Sequence, residues 1–257
     1  MSEKNRDGKR TARERLAVER EKQKASDKRR RTLIVGASVV CVLGLAAVIG
    51  IVAANAGKNK GGSAGPAVAP SGAQGKDSLA IPVGKDGAKS TLTVWEDFRC
   101  PACQAFETAY RPTLHELADA GKLRVEYHLA RLIDGNLGGT GSLRAANAAA
   151  CAQDAGKFRD YHDVLYANQP KETDDAFADN GRLIELAGKV KGLDTPAFRK
   201  CVEGGTHDTW VDKNNQAFRT GGFSGTPTVL LGGKNIYEDQ SMTPDKLKQM
   251  VESAARG

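Results

Sequence analysis

The fold is decided by residues 97–103, DFRCPAC, in which two cysteines lie three positions apart directly after a predicted strand. That strand, residues 91–95, is rich in β-branched and aromatic side chains, and Pro101 then opens a predicted helix. At a helix N-terminus, unpaired backbone N–H groups and the positive end of the helix dipole favour a thiolate. The motif therefore predicts a redox-active pair in which Cys100 has a lowered pKa and closes a small disulfide ring with Cys103.

Two structural interpretations of this motif compete with the redox one. A CxxC pair can be half of a structural zinc site, but such sites usually need a second Cys/His pair at short spacing. The next cysteines, Cys151 and Cys201, lie 50 residues apart, and the four histidines are scattered. The other alternative is a CxxC disulfide that is purely structural. We expect neither a metal nor a cofactor.

Working outward, the pattern predicts a strand–helix–strand unit. A short strand at 79–83 precedes the strand at 91–95, and alternating apolar residues at 123–133 predict another strand after the helix of residues 101–120. Pro112 inside that helix predicts a kink or a break. Strand–helix–strand implies a parallel pair of strands in a buried sheet.

The following segment, about residues 135–222, predicts a helical insertion. Its helices are expected at 143–168, 182–190, 196–202 and 206–219. Strands return as a hairpin at 228–231 and 235–237, and a last helix at 244–254 follows Thr243 as its N-cap. The sequence therefore predicts an α/β fold whose sheet is interrupted by helices and then completed.

The charge of the chain is concentrated at its N-terminus. The 257 residues are 40% hydrophobic and 27% charged, as in globular proteins, with a formal net charge of +7. Residues 1–31 hold 13 Lys/Arg and 6 Asp/Glu, so the remaining residues hold 25 of each (38 − 13 and 31 − 6). Outside this tail there is no electrostatic basis for binding nucleic acid.

An apolar segment follows the basic tail. A helix needs roughly 20 apolar residues to span a bilayer core, and residues 32–54 predict a single transmembrane signal-anchor helix. The basic residues 28–31 before it predict a cytoplasmic tail, 1–31, with the rest of the chain extracytoplasmic at the cell membrane. The alternative is a cleaved signal peptide ending at the ANA of residues 54–56. Both interpretations export the C-terminal part.

A linker and one exported domain complete the predicted organisation. Of the 24 residues in 55–78, 16 are Gly, Ala, Ser or Pro, which is typical of a linker. Residues 79–257 then form the domain that contains the insertion. Exported cysteines tend to pair, and setting aside Cys41 in the bilayer leaves an even number.

We therefore predict a structural disulfide between Cys151 and Cys201, which would stabilise the protein by about 3–4 kcal/mol in the chain-entropy estimate. The alternative is a relay that passes electrons to the Cys100–Cys103 pair.

A second motif, GTPT at residues 225–228, stands immediately before the first strand of the hairpin. Together with DFRCPAC and the helical insertion, it resembles the thioredoxin superfamily, and specifically its DsbA-like branch of exported thiol–disulfide oxidoreductases. The resemblance covers about residues 79–257. The anchor, the linker and the extra cysteine pair are similar to membrane-tethered versions from Gram-positive bacteria, actinobacteria in particular.

The resemblance implies roles for individual residues. Cys100 would be the attacking thiol and Cys103 the buried resolving thiol, with Pro101 and Ala102 between them. Pro227 would follow a cis peptide bond and lie against the disulfide. Thr226 would offer backbone hydrogen bonds to an extended client segment. The resemblance also implies reoxidation by a membrane partner of the DsbB or vitamin-K-epoxide-reductase type.

One position departs from the pattern of the family. Many relatives carry a buried carboxylate six residues before the first cysteine, where this chain has Val94. Glu96 and Asp97 are near, but strand alternation directs them to opposite faces. Which of the two approaches the sulfurs is left open. Their negative charge would raise the pKa of Cys100, whereas Arg99 and the helix dipole would lower it, so the net shift is left open as well.

Three functions agree with these features. The leading one is an oxidase that introduces disulfides into newly exported, cysteine-containing proteins. A reductase or isomerase would use the same residues, with a different redox poise. A tethered binding or chaperone module without redox turnover is the third.

Overall fold

The computed structural model describes residues 66–256. Its strands are β1 Ile81–Val83, β2 Ser90–Glu96, β3 Leu123–Leu129, β4 Thr228–Leu231 and β5 Lys234–Asn235. Its α-helices are α1 Pro101–Asp119, α2 Leu132–Leu137, α3 Gly141–Asp154, α4 Phe158–Ala167, α5 Asn180–Ala187, α6 Pro196–Gly204, α7 Asp208–Thr220 and α8 Pro244–Arg256. The predicted tail 1–31 and membrane helix 32–54 lie outside the described residues. Among the helices within 66–256, none combines the length and the apolar character needed to cross a bilayer.

The strands form one sheet in the order β1-β3-β2-β4-β5. The parallel pair, β2 and β3, is connected through α1, whereas β1 and β4 run antiparallel to their neighbours in the sheet. The predicted strand–helix–strand unit is therefore confirmed. Near its C-terminal end, β2 pairs Trp95 with His128 of β3 and with Thr228 of β4. This register brings the segment after β2 next to the start of β4.

The two faces of β2 contact different helices. Trp95 packs on Phe218 of α7 and on Phe223. Its neighbours Val94 and Glu96 point to the opposite face because side chains alternate along a strand. Helix α1 packs against β3, α4 and α8. The helical insertion, which lies between β3 and β4, thus contributes α4 to the surroundings of α1.

The strand β3 is shorter than the predicted 123–133 and ends at Leu129. The N–H of Ile133 donates to the Asp97 carboxylate (2.9 Å) instead of to a neighbouring strand. Asp134 accepts hydrogen bonds from backbone N–H groups at the start of α3. These polar contacts explain why the chain turns into the short helix α2 here.

The helix predicted at 143–168 is two helices, α3 and α4. Gly156, with φ of 66°, lies between them in a backbone conformation that favours glycine. Conversely, Pro112 lies inside an uninterrupted α1, so the alternative of a break there is wrong. The predicted N-cap of the last helix is found, since Thr243 Oγ1 accepts from the N–H of Lys246 (3.1 Å).

Residues 66–78, the C-terminal part of the predicted linker, pack against the insertion. A ring nitrogen of His207 bonds the carbonyl oxygen of Val68 (2.8 Å). The indole N–H of Trp210 donates to the carbonyl of Ser78 (2.7 Å). The partners come from α7 and the residue before it, which the composition of the linker itself cannot reveal.

Candidate active site

The two cysteines of CPAC lie where β2 leads into α1. Cys100 is the N-cap residue, and Pro101 occupies the first turn, where no backbone N–H is needed. Both cysteines are free thiols in this structure. Cys100 is 7% exposed, Cys103 is fully buried, and Ala102 packs at the edge of the core. Cys100 is therefore the sulfur of the pair that another protein can reach.

The loop before β4 completes the site. The Thr226–Pro227 peptide bond is cis. The thiol of Cys100 donates to the carbonyl oxygen of Thr226 (3.3 Å), and the hydroxyl of Thr228 donates to the carbonyl of Gly225 (2.7 Å). The structure thus brings the two sequence motifs into contact through Cys100 and Thr226, which are 126 positions apart in the chain.

The two sulfurs differ in acidity. A hydrogen bond from the Cys103 side chain is the largest cause that lowers the pKa of Cys100 to about 7, and Thr226 and the Cys103 backbone act in the same direction. Burial raises the pKa of Cys103 well above its ordinary value, and the hydrogen bond to Cys100 adds to this. The N-cap position of Cys100 also places it at the positive end of the dipole of α1. A negative charge on this pair therefore resides on Cys100.

The neighbouring acids act on different sulfurs. Asp97 opposes the lowered pKa of Cys100, whereas Glu96 raises the pKa of Cys103. Both carboxylates are fully buried. Through their charges, Asp97 therefore acts on the attacking cysteine and Glu96 on the resolving one.

A buried ion network shapes the turn that precedes Cys100. Asp97 accepts from the backbone N–H of Arg99 (2.8 Å) and of Ile133 (2.9 Å). Burial nevertheless raises the pKa of Asp97 to about 6. The guanidinium of Arg99 is buried and pairs with Asp134 and Asp175, each at 2.8 Å. These ion pairs of Arg99 connect the turn before Cys100 to the helical insertion.

The insertion also holds the backbone of the motif through Gln169. Its side-chain amide donates to the carbonyls of Phe98 (2.8 Å) and Cys100 (3.0 Å). Gln169 follows α4 and belongs to no motif, so sequence reasoning missed it. Its contacts stabilise the geometry of the first turn of α1.

Three further buried polar side chains lie beyond Cys103: Glu96, Glu107 and His162. Glu96 Oε1 and His162 Nε2 are 2.7 Å apart. One ligand atom from each of the three lies within 4.8 Å of the others, close enough for a metal ion, although the structure joins them through the Glu96–His162 pair. One signal in the sequence could have found Glu107, because it follows Cys103 by four residues and so lies on the same buried face of the helix.

A groove of about 340 Å³ lies between α1 and the segment that runs from β4 to Met242. Its walls are mostly aromatic and aliphatic and include Phe106, Tyr110, Val229, Ile236 and Tyr237. Tyr237 is 43% exposed; partial burial raises the pKa of its phenol, and the charges of the two active-site sulfurs add to this. The groove can therefore hold apolar side chains of a chain bound at Cys100.

The second cysteine pair is oxidised. Cys151 in α3 and Cys201 in α6 are joined by a disulfide, the pairing expected from the sequence. His207 lies beside them, and the three could be read as a metal-binding group. Because both sulfurs are bonded to each other, they offer no thiolate ligand.

Comparison with known proteins gives a consistent result. Residues 77–253 match a family model described as Thioredoxin. Disulfide bond formation protein D of Bacillus subtilis (strain 168) is 25% identical over 178 residues, which cover 68% of this chain and 77% of that protein. The probable disulfide bond formation protein D of Bacillus cereus is 28% identical over 160 residues, covering 61% and 72%.

Among solved structures, oxidised DsbA of Mycobacterium tuberculosis is similar to this chain with a TM-score of 0.59 and 29% identity. The match covers 68% of this chain and 92% of that one.

Proposed function

Because the chain belongs to the thioredoxin family and is a DsbA-like thiol–disulfide oxidoreductase, we propose that it introduces disulfides into secreted or cell-surface proteins. The observation that carries this direction is the similarity of the chain to disulfide bond formation proteins and to DsbA. The pKa of Cys100 is lowered to about 7, while that of Cys103 is raised. The lowered pKa makes Cys100 the better nucleophile and leaving group of the pair, which thiol–disulfide exchange needs in either direction.

The proposed reaction starts from the oxidised enzyme. A client thiolate attacks the sulfur of Cys100, a client–Cys100 bond forms, and the electron pair of the broken bond leaves with Cys103. A second client thiolate then attacks the client sulfur of the mixed disulfide and expels Cys100 as a thiolate. The client gains one disulfide, and the enzyme gains two electrons and becomes the dithiol.

The site supports binding of an extended client segment. The carbonyl of Thr226 lies against the sulfur of Cys100, at the start of the loop that leads into β4. The adjacent groove lined by Phe106 and Tyr237 offers apolar contacts. Such a surface suits backbone pairing with varied clients more than recognition of one sequence.

The place of action is part of the proposal. The charge asymmetry around residues 32–54 supports a single-pass anchor with a cytoplasmic tail and an extracytoplasmic catalytic domain. The disulfide between Cys151 and Cys201 is in keeping with an oxidising compartment. Regeneration would come from a membrane redox partner of the DsbB or vitamin-K-epoxide-reductase type.

The test is the reduction potential of the Cys100–Cys103 pair, measured by equilibration of the full chain with glutathione buffers. If the protein introduces disulfides, we expect a potential of about −120 mV. A potential near about −270 mV would mean that the disulfide is the stable form, and the reductase interpretation would replace the proposal. Replacing both Cys151 and Cys201 by Ser in a parallel sample keeps the titration specific to the active-site pair.

A further inference from the structure

Three buried ionisable side chains form a cluster that no step of the proposed disulfide exchange uses. Glu96 of β2, Glu107 of α1 and His162 of α4 are at most 2% exposed. One donor atom from each lies within 4.8 Å of the other two. Charged groups are costly to bury and are retained where a partner or a metal ion compensates them. We call these three residues the acid–histidine cluster.

Hydrogen bonding within the acid–histidine cluster is incomplete. Oε1 of Glu96 and Nε2 of His162 lie 2.7 Å apart. By contrast, Oε2 of Glu96 and Oε1 of Glu107 are buried and have no hydrogen-bond partner among residues 66–256. A buried oxygen without a partner loses its hydration and gains no bond in return, which opposes folding. Two such oxygens beside an imidazole nitrogen therefore point to a ligand that accepts electron pairs.

The donor set fits Zn²⁺ better than the hard cations Ca²⁺ and Mg²⁺. Ca²⁺ takes about six to eight oxygen ligands, and Mg²⁺ usually keeps several waters. Zn²⁺ is instead bound by imidazole nitrogen and carboxylate oxygen in four-coordinate sites. Because Glu96 offers both of its oxygens, the cluster supplies four donor atoms. Two carboxylates and a neutral imidazole also carry the charge that a divalent cation cancels in a buried place.

The spacing of the donor atoms suits zinc after a small side-chain movement. Zinc lies about 2.0–2.1 Å from nitrogen and oxygen ligands, so two ligands of a tetrahedral ion are about 3.3 Å apart. Nε2 of His162 and Oε1 of Glu96 are 2.7 Å apart in this structure. An ion between these two atoms therefore needs them to separate by only about 0.6 Å.

His162 is held in the way that zinc-binding histidines are held. Its Nε2 faces Glu96, and its Nδ1 lies 3.6 Å from Oδ1 of Asp163. A carboxylate beside the second ring nitrogen orients a ligating imidazole and raises its basicity. Aromatic side chains pack around the ring with centroids 4.7–5.6 Å away, namely Phe98, Tyr127, Phe158 and Tyr166. The imidazole is thus oriented towards the two acids before any ion arrives.

We propose that Glu96, Glu107 and His162 bind one Zn²⁺ ion, with Asp163 orienting the histidine. The ion connects the strand and the helix on either side of the CPAC motif to the helical insertion. Asp163 and His115, which are 22% and 30% exposed and 3.4 Å apart, give it a polar path from solvent. The sequence predicts no metal, and the proposal departs from that prediction because these ligands share no motif.

The experiment measures Zn²⁺ binding to the oxidised full chain at constant pH. The protein is first freed of metal with a chelator, and both cysteine pairs are kept as disulfides so that they offer no thiolate. Zn²⁺ is then titrated in competition with a coloured chelator of known affinity. We expect one ion per chain, with nitrogen and oxygen ligands and no sulfur in its X-ray absorption spectrum. No binding, or a sulfur ligand, would overturn the proposal.

Glu107→Gln is the decisive variant, because it keeps the shape of the side chain and leaves the Glu96–His162 pair intact. Its affinity for Zn²⁺ should fall by more than about 100-fold, whereas Asp163→Asn should lower the affinity by about 10–100-fold. Zn²⁺ should also raise the Tm of the wild type but not that of Glu107→Gln, since an ion that binds only the folded protein stabilises it. Circular dichroism checks that each variant is folded. Equal affinity of Glu107→Gln and the wild type contradicts the site.

Two control variants exclude other zinc sites. His207→Gln changes the second group of potential ligands, in which His207 lies beside the Cys151–Cys201 disulfide. His115→Gln removes the exposed histidine near the cluster. Both should bind Zn²⁺ as the wild type does, and loss of the ion from either one, with its retention in Glu107→Gln, would place zinc elsewhere and refute the proposal. The site does not depend on the direction of disulfide exchange, which the reduction potential tests separately.

Discussion

The molecule holds two cysteine pairs whose chemistry differs although the bond they form is the same. Cys100 and Cys103 lie at a helix N-terminus, one slightly exposed and one buried, and they differ in pKa. Cys151 and Cys201 join two helices of the insertion across 50 residues. The comparison shows that local charge and access, not the disulfide itself, separate a reactive pair from a structural one.

Cys100→Ser tests the reactive half of this comparison and has the largest expected effect. Oxidation of a dithiol peptide should fall to the uncatalysed rate, because no sulfur remains to form the mixed disulfide. The measurement is the initial rate of peptide oxidation. Retention of substantial catalysis would show that another sulfur can replace Cys100.

Cys151→Ser/Cys201→Ser tests the structural half. The free energy of unfolding should fall by about 3–4 kcal/mol, because the denatured chain regains the freedom of a 50-residue loop. The measurement is denaturant unfolding at constant pH. Peptide oxidation per folded molecule should stay at the wild-type rate, and a changed reduction potential of the Cys100–Cys103 pair would mean that the two pairs are coupled.

The acidity difference between the active-site sulfurs can be measured by alkylation of the reduced protein. The rate with iodoacetamide should rise with a midpoint near pH 7, since the pKa of Cys100 is lowered to about 7. Peptide mapping should find the label on Cys100, while buried Cys103 stays unmodified. In denaturant both should react with the ordinary cysteine pKa of about 8.5. Equal labelling of the two in the folded protein would contradict the assignment.

Glu107→Gln has the smallest expected effect, and it depends on pH. Burial raises the pKa of Glu107 to about 8 from its ordinary value of 4.5, so its favourable contribution to folding is complete below pH 4.5 and is lost as the pH rises through 8. At pH 9 the variant should be more stable than the wild type by about 1 kcal/mol or more, and at pH 5 this gain should vanish. Glu116→Gln, an exposed change on the same helix, should show no such pH dependence. Urea unfolding at both pH values measures it.

Much of the fold was predictable because its signals are local. The DFRCPAC motif marked the end of β2 and the start of α1, and β-branched runs marked β2 and β4. The α/β thioredoxin-like fold with a helical insertion is confirmed by the family match and by the similar structures. The prediction was wrong where residues distant in the sequence determine the end of a strand or helix. The predicted strand to Ile133 ends early because Asp97, 36 positions away, takes that N–H.

The candidate site shows the same division. The sequence singled out the two cysteines of CPAC and the GTPT loop, but not Gln169, the Glu96–His162 pair or the ion pairs of Arg99 with the insertion. Glu96 and His162 are 66 positions apart, and no periodicity connects them. Their importance depends on α4 being folded back beside Cys103, which is a result of tertiary packing.

The small exposed area of Cys100 limits when a client protein can be oxidised. A sulfur that is 7% exposed and lies against the Thr226 carbonyl can be reached by a thiol on a slender, movable strand but not by one embedded in a finished core. The cysteines of a client can therefore be oxidised only between its arrival at the enzyme and the completion of its folding. For such an enzyme, the pace at which a client folds selects the cysteines that are oxidised as effectively as any recognition sequence.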